Sequence, residues 1–189
     1  MGSVGGQMAL QLIEYAKCIE LTDNEWNHNL IEDLNQLVSQ QILLVNDYYT
    51  FRKELNENDN KFEEMRHSFP ILVQRHGLSL QQSVNKINEM IKSKDNQIMD
   101  KIKTIENCEQ LKTSDVLEYV NGVQQFLGGY WRHAVTARRY HGLNFTGVVP
   151  PEGYFLYDNN QTIIKPIDNK TMDFKWNKVV PQNVQPITY

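Results

Sequence analysis

Apolar side chains return every three or four residues over most of the chain up to Tyr140, and that period confines this part to helices. Between Trp26 and Glu54, the positions Leu30, Leu34, Leu37, Val38, Gln41, Val45 and Tyr48 follow one side of a helix. The pattern predicts a helix from Gln7 to about Leu21 and a second from Trp26 to Glu54 with a break near Asp33. It predicts a short helix within 61–75, interrupted by Pro70. Further helices are expected over Leu80 to about Lys92, Asp95 to Leu111, Thr113 or Ser114 to Phe126, and Tyr130 to Tyr140, with Gly128-Gly129 as a break. Thr22 or Asp23, Ser79, and Thr113 or Ser114 are candidate caps.

Five of the six prolines lie beyond Gly142, and the helical period stops there. Residues 143–189 are expected to form an irregular or partly disordered tail, with Gly153–Tyr157 a candidate short strand. The body therefore reads as all-α.

At 189 residues there is room for one domain with a real core. A net charge of −4 disfavours nucleic acid, which calls for a basic face. No apolar run is long enough to span a bilayer, and the opening residues lack the basic head and apolar stretch of a secretory leader. The two cysteines, Cys18 and Cys108, form no metal-type pair. They read as free thiols of a cytoplasmic protein. The five histidines show no ligand spacing and read as surface or core residues.

The stretch Val45-Asn46-Asp47-Tyr48-Tyr49-Thr50-Phe51-Arg52-Lys53-Glu54 carries the chemistry. Asn46, Thr50 and Glu54 lie at i, i+4 and i+8, so on a helix they project from nearly one face over about 12 Å. They offer an amide oxygen, a hydroxyl and a carboxylate, which suit a hard cation such as Mg²⁺ that keeps positions for phosphate and water. Lys53 adds an ammonium beside Glu54. Polar residues at this spacing are also common on solvated helix faces, so spacing alone does not decide. The apolar residues before the triad and the aromatics Tyr48, Tyr49 and Phe51 within it point to the lining of a buried site.

This segment resembles the N-D-x-x-S/T-x-x-K-E metal-binding motif of class I terpene synthases, with Asn46, Asp47, Thr50, Lys53 and Glu54 all matching. The resemblance implies that Asn46, Thr50 and Glu54 hold a Mg²⁺ and that Lys53 contacts the substrate diphosphate. Asp47 belongs to the motif without usually being a ligand. Trp131, Thr136 and Arg138-Arg139-Tyr140 resemble the family's carboxyl-terminal signature, in which Arg139 and Tyr140 would bind the diphosphate as the site closes. An extra arginine shifts the register there, and an arginine pair near a helix end is also ordinary surface. Gly2-Ser3-Val4-Gly5-Gly6-Gln7 looks like the family's broken, diphosphate-sensing helix, with the effector carbonyl around Val4 and Gly5. Met1 stands where a sensor arginine would be needed.

The resemblance covers residues 1–142 and implies the carboxyl-terminal half of the family's helical bundle, with 143–189 as a tail. The implied activity is Mg²⁺-dependent ionisation and cyclisation of a prenyl diphosphate, such as farnesyl or geranyl diphosphate, to a terpene. Tyr48, Tyr49 and Phe51 are candidates to face a carbocation or to be core. No aspartate-rich D-D-x-x-D cluster is present; Glu63-Glu64 is the nearest acidic pair and lies downstream of Asn46. Activity is therefore expected to be impaired, as for a truncated product, with self-association through exposed apolar faces. The alternative is a non-catalytic helical remnant that binds a partner or a diphosphate. An isoprenyl diphosphate synthase would need two aspartate-rich motifs, which Asn46-Asp47-x-x-Thr50 does not supply.

Overall fold

A computed structural model describes residues 4–57, 61–137 and 140, and among them every regular element is helical. The helices are α1 (Val4–Lys17), α2 (Asp23–Trp26), α3 (Asn29–Glu57), α4 (Ser68–His76), α5 (Leu80–Glu106) and α6 (Ser114–Thr136). Short 3-10 turns occupy Phe62–Glu64 and Glu109–Leu111. The expected tail at 143–189 lies outside the described residues.

Local chemistry sets most of the helix starts. Thr22 opens α2 with a reciprocal box: its hydroxyl accepts from the Glu25 N–H at 3.3 Å, and Glu25 Oε2 accepts from the Thr22 N–H at 2.8 Å. Ser79 and Gln82 repeat the device at the head of α5, at 3.2 Å and 2.8 Å. Thr113 Oγ1 accepts from the Val116 N–H and starts α6. Gly77 ends α4 at φ 64°, where its N–H reaches Val73 O and the Leu78 N–H reaches Leu72 O. Only glycine takes that left-handed φ without cost.

Several expected boundaries move. The break placed near Asp33 falls at Asn27–His28, where His28 Nδ1 accepts from the Leu30 N–H and Asn27 Nδ2 donates to Asp23 O. These side chains compete with the helical ladder, and nothing at Asp33 does. Pro70 does not interrupt a helix; it lies in the first turn of α4, where a missing N–H costs nothing. The helices expected over 80–92 and 95–111 are one helix, because Ser93 and Lys94 break nothing and Ile87, Ile91, Ile98, Ile102 and Ile105 keep one buried stripe. Gly128-Gly129 does not break α6, since glycine weakens a helix by only about 1 kcal/mol relative to alanine and packing overrides that.

The chain divides into two compact units. The first is built from Met1–Val45 and Met90–Arg132. Its core joins Leu10 and Ile13 of α1, Ile31, Leu34 and Val38 of α3, the isoleucines 98, 102 and 105 of α5, and Val116, Tyr119, Val120 and Val123 of α6. Gly122 lets α6 approach α1 closely, since a Cβ there would run into Ile13 Cγ2. Gly6 does the same against α3, where a Cβ would stand 2.8 Å from Ser39 Oγ. Polar ties frame this core: Lys17 to Glu118 at 2.8 Å, Tyr119 Oη to Asn35 at 2.7 Å, and Thr113 Oγ1 to Glu25 Oε1 at 2.6 Å. On α1, Met8, Leu12 and Tyr15 are exposed, the last at 85%.

The second unit holds Asn46–Glu89 and the described residues from His133 onward. Phe51, Phe62, His67 and Phe69 form its aromatic centre, with Phe51 and Phe69 ring centroids 4.3 Å apart. Among the described residues, no helix is long and apolar enough to cross a membrane. Cys18 and Cys108 are free thiols.

Candidate metal centre

The carboxyl-terminal part of α3 carries Asn46, Thr50 and Glu54 on a continuous helix, so the one-face geometry inferred from their spacing holds. The helix is fixed here by buried neighbours: Tyr48, Tyr49, Phe51 and Leu55 are all nearly fully enclosed. Phe51 belongs to the aromatic core with Phe62 and Phe69. Asn46, Lys53 and Glu54 are half-buried. Lys53 falls seven residues after Asn46, close to the same azimuth.

Thr50 is 1% exposed, and its Oγ1 has no hydrogen-bond partner among the described residues. A helical threonine ordinarily satisfies its hydroxyl on the carbonyl four residues back. Leaving a buried hydroxyl unpaired costs about 1–3 kcal/mol. The group therefore stands ready for a ligand, with an amide oxygen one turn before it and a carboxylate one turn after.

These donors fit Mg²⁺: all are oxygens, one is anionic, and three ligands leave positions for phosphate and water. Among the described residues, no three His, Cys, Asp or Glu side chains cluster to hold a metal. A cation in this part of the chain would thus need neutral oxygens such as those of Asn46 and Thr50.

Asp47, the other motif residue, points elsewhere. Its Oδ2 accepts from the Ser68 N–H at 2.8 Å and from the Ser68 hydroxyl, and its Oδ1 lies 3.9 Å from His67 Nε2. Burial pushes the His67 imidazole below its ordinary pKa, while the Asp47 and Glu54 carboxylates pull it partly back. The sequence leaves His67 as either surface or core, and it is core. Ser68 escapes a motif search, although a serine two residues before a proline is a helix-start signal.

Trp131 is half-buried and Thr136 exposed, both on α6. Tyr140 is buried, with its ring edge-on to His133 at 5.9 Å. Arg139 and its neighbour Arg138 lie outside the described residues, as do Met1, Gly2 and Ser3. Val4 and Gly5 are already helical, so α1 begins before the expected Gln7. Glu64 is exposed beside a 3-10 turn.

A family model described as terpene synthase family 2, C-terminal metal binding, matches residues 1–95. The chain belongs to the terpene synthase family. The matched stretch of this terpene synthase family member contains Asn46, Thr50, Lys53 and Glu54, while Arg139 and Tyr140 lie beyond it. The chain is 34% identical over 90 residues to the (1R,4R,5S)-(-)-guaia-6,10(14)-diene synthase of Fusarium mangiferae, covering 48% of this chain and 21% of that protein. It is 28% identical over 137 residues to sesquiterpene synthase Agr3 of Cyclocybe aegerita, covering 69% of this chain and 35% of that protein. It thus spans about a fifth to a third of the length of these relatives. Among solved structures, a single-site variant of cucumene synthase superposes with a TM-score of 0.60 at 18% identity, covering 69% of this chain and 43% of that one. That likeness bears out the all-α terpenoid synthase fold.

Proposed function

We propose that Asn46, Thr50 and Glu54 hold one Mg²⁺, and that the chain serves the ionisation and cyclisation of a prenyl diphosphate, such as farnesyl or geranyl diphosphate, to a terpene. The observation that carries this reading is the buried, unpaired Thr50 hydroxyl between Asn46 and Glu54 on one face of α3. When bound, Mg²⁺ supplies positive charge against the departing diphosphate. Asn46 and Thr50 give neutral oxygens, so the triad contributes one negative charge and leaves the cation electrophilic. Lys53 adds a fixed positive charge near the same face, and Arg139 and Tyr140 add a guanidinium fork and a phenolic donor to the diphosphate. Burial of Thr50 keeps bulk water from competing for its hydroxyl.

These 189 residues contain no aspartate-rich cluster, and the triad places a single cation. Turnover by the chain alone is therefore expected to be slow or absent, with binding of metal and diphosphate retained. Met8, Leu12 and Tyr15 on α1 are the apolar face through which copies would associate.

The test is incubation of the purified chain with farnesyl diphosphate and Mg²⁺, headspace analysis for volatile terpenes, and sedimentation of the same sample. The Asn46→Ala, Glu54→Ala double variant is the control. Product that disappears in the variant means these residues assemble an active site without the aspartate motif. Folded protein that makes no product but binds inorganic pyrophosphate in a Mg²⁺- and triad-dependent way is a diphosphate-binding, non-catalytic member. Binding that ignores the triad sinks the metal reading.

A further inference from the structure

Asp47 sits inside the metal motif, yet it faces the start of another helix. It directly follows Asn46, so its side chain leaves α3 about 100° round the axis from Asn46. It is 7% exposed. Its carboxylate engages the amino terminus of α4: Oδ2 accepts from the N–H and hydroxyl of Ser68, and Oδ1 lies 3.9 Å from His67 Nε2, too far for a hydrogen bond. Ser68 is the first residue of α4, and His67 caps it, Nδ1 accepting from the Phe69 N–H at 3.4 Å. A carboxylate is favoured there by the helix dipole and by N–H groups that have no helical acceptor.

The docking point is itself held firmly. The His67 ring stacks on Phe69 at 5.3 Å and lies 5.6 Å from Phe51. Phe51 follows Thr50 directly, so the same aromatic cluster grips α3 within the triad. A helix pinned through Asp47 cannot turn about its axis without breaking two partly buried hydrogen bonds. That pin acts together with the packing of Tyr48, Tyr49, Phe51 and Leu55 on the azimuth of Asn46, Thr50 and Glu54.

We propose that Asp47, through Ser68 and the amino terminus of α4, is a positioning residue that fixes the rotation of α3 and so presents Asn46, Thr50 and Glu54 together to the metal. It rests on the reading of those three residues as metal ligands. On this view the acidic residue after Asn46 serves the site as a rotational stop and not as a ligand.

Mn²⁺ binding to the 189-residue chain, followed by electron paramagnetic resonance with and without inorganic pyrophosphate, tests it. Measurements are made well below the melting temperature, with helix content checked by circular dichroism. Asp47→Ala is expected to weaken Mn²⁺ binding roughly tenfold or more, as loss of a group that orients metal ligands does. Asp47→Asn, which keeps an acceptor for the Ser68 N–H, is expected to recover most of that loss. Ser68→Pro approaches from the other side: it removes both donors to Asp47, leaves α3 untouched, and puts proline at the first position of α4, where it is well tolerated. It is expected to reproduce the Asp47→Ala loss, and it carries the measurement if Asp47→Ala does not fold. Wild-type Mn²⁺ affinity in folded Asp47→Ala or Ser68→Pro overturns the proposal if Asn46→Ala, Glu54→Ala abolishes binding. If that double variant also binds normally, the metal reading itself fails and the positioning role falls with it.

Discussion

A hydroxyl sealed from water without a hydrogen-bond partner lowers stability, and Thr50, which has none among the described residues, accepts that penalty at the centre of the motif. Thr50→Val keeps the shape and removes the orphan oxygen. The variant is expected to match or exceed the parent in metal-free urea denaturation, by up to about 1 kcal/mol, while losing the stabilisation that added Mg²⁺ gives the parent. Thr50→Ser is expected to keep that metal response. Four residues of sequence separation made this triad legible, because the helix converts i, i+4, i+8 into a face without help from the rest of the fold. The partner of Asp47 was not legible: Ser68 is 21 residues away, across a turn, and no local period links the two. His67 makes the same neighbourhood sensitive to pH. Its pKa is lowered from 6.5, with burial the largest cause, so below that value the unfolded chain binds the proton more readily than the folded one. The stability it contributes is complete above about pH 6.5 and is lost as pH falls towards the lowered folded value. Urea midpoints are expected to drop between about pH 7.5 and about pH 5.5. In His67→Asn, which still offers a cap to α4, the slope is expected to be shallower.

Glycines separate the helices into places where an extra carbon collides and places where it would not. A Cβ at Gly122 would strike Ile13 Cγ2, a stiff β-branched side chain, whereas nothing lies within 4 Å of a Cβ at Gly128 or Gly129. Gly122→Ala is therefore expected to cost about 1–3 kcal/mol despite its better helix propensity. Gly128→Ala and Gly129→Ala are each expected to add about 0.5–1 kcal/mol. Thermal melts of the three variants check both signs. The sequence treats all of these glycines alike, which is why a helix end was expected at 128–129. Capping was easier to read: Thr22, Ser79 and Thr113 act through bonds to residues three positions on, so a short window contains the whole motif. Continuity was harder, since the length of α5 depends on a buried stripe running from Ile87 to Ile105 and not on any residue at 93–94.

At the level of the whole chain, an all-α architecture followed from the period of the apolar residues, and the family followed from a motif that lies within the matched 95 residues. The grouping of residues into two units was not readable, because it depends on which helices meet in space. That grouping has a consequence for how the protein is made. The first unit takes one half of its core from Met1–Val45 and the other from Met90–Arg132. A ribosome adds about 5–20 residues per second. Leu10, Ile13, Ile31, Leu34 and Val38 therefore leave the exit tunnel seconds before Ile98, Ile102, Val116 and Val123 exist to cover them. Through that interval the nascent chain presents a greasy, half-built surface.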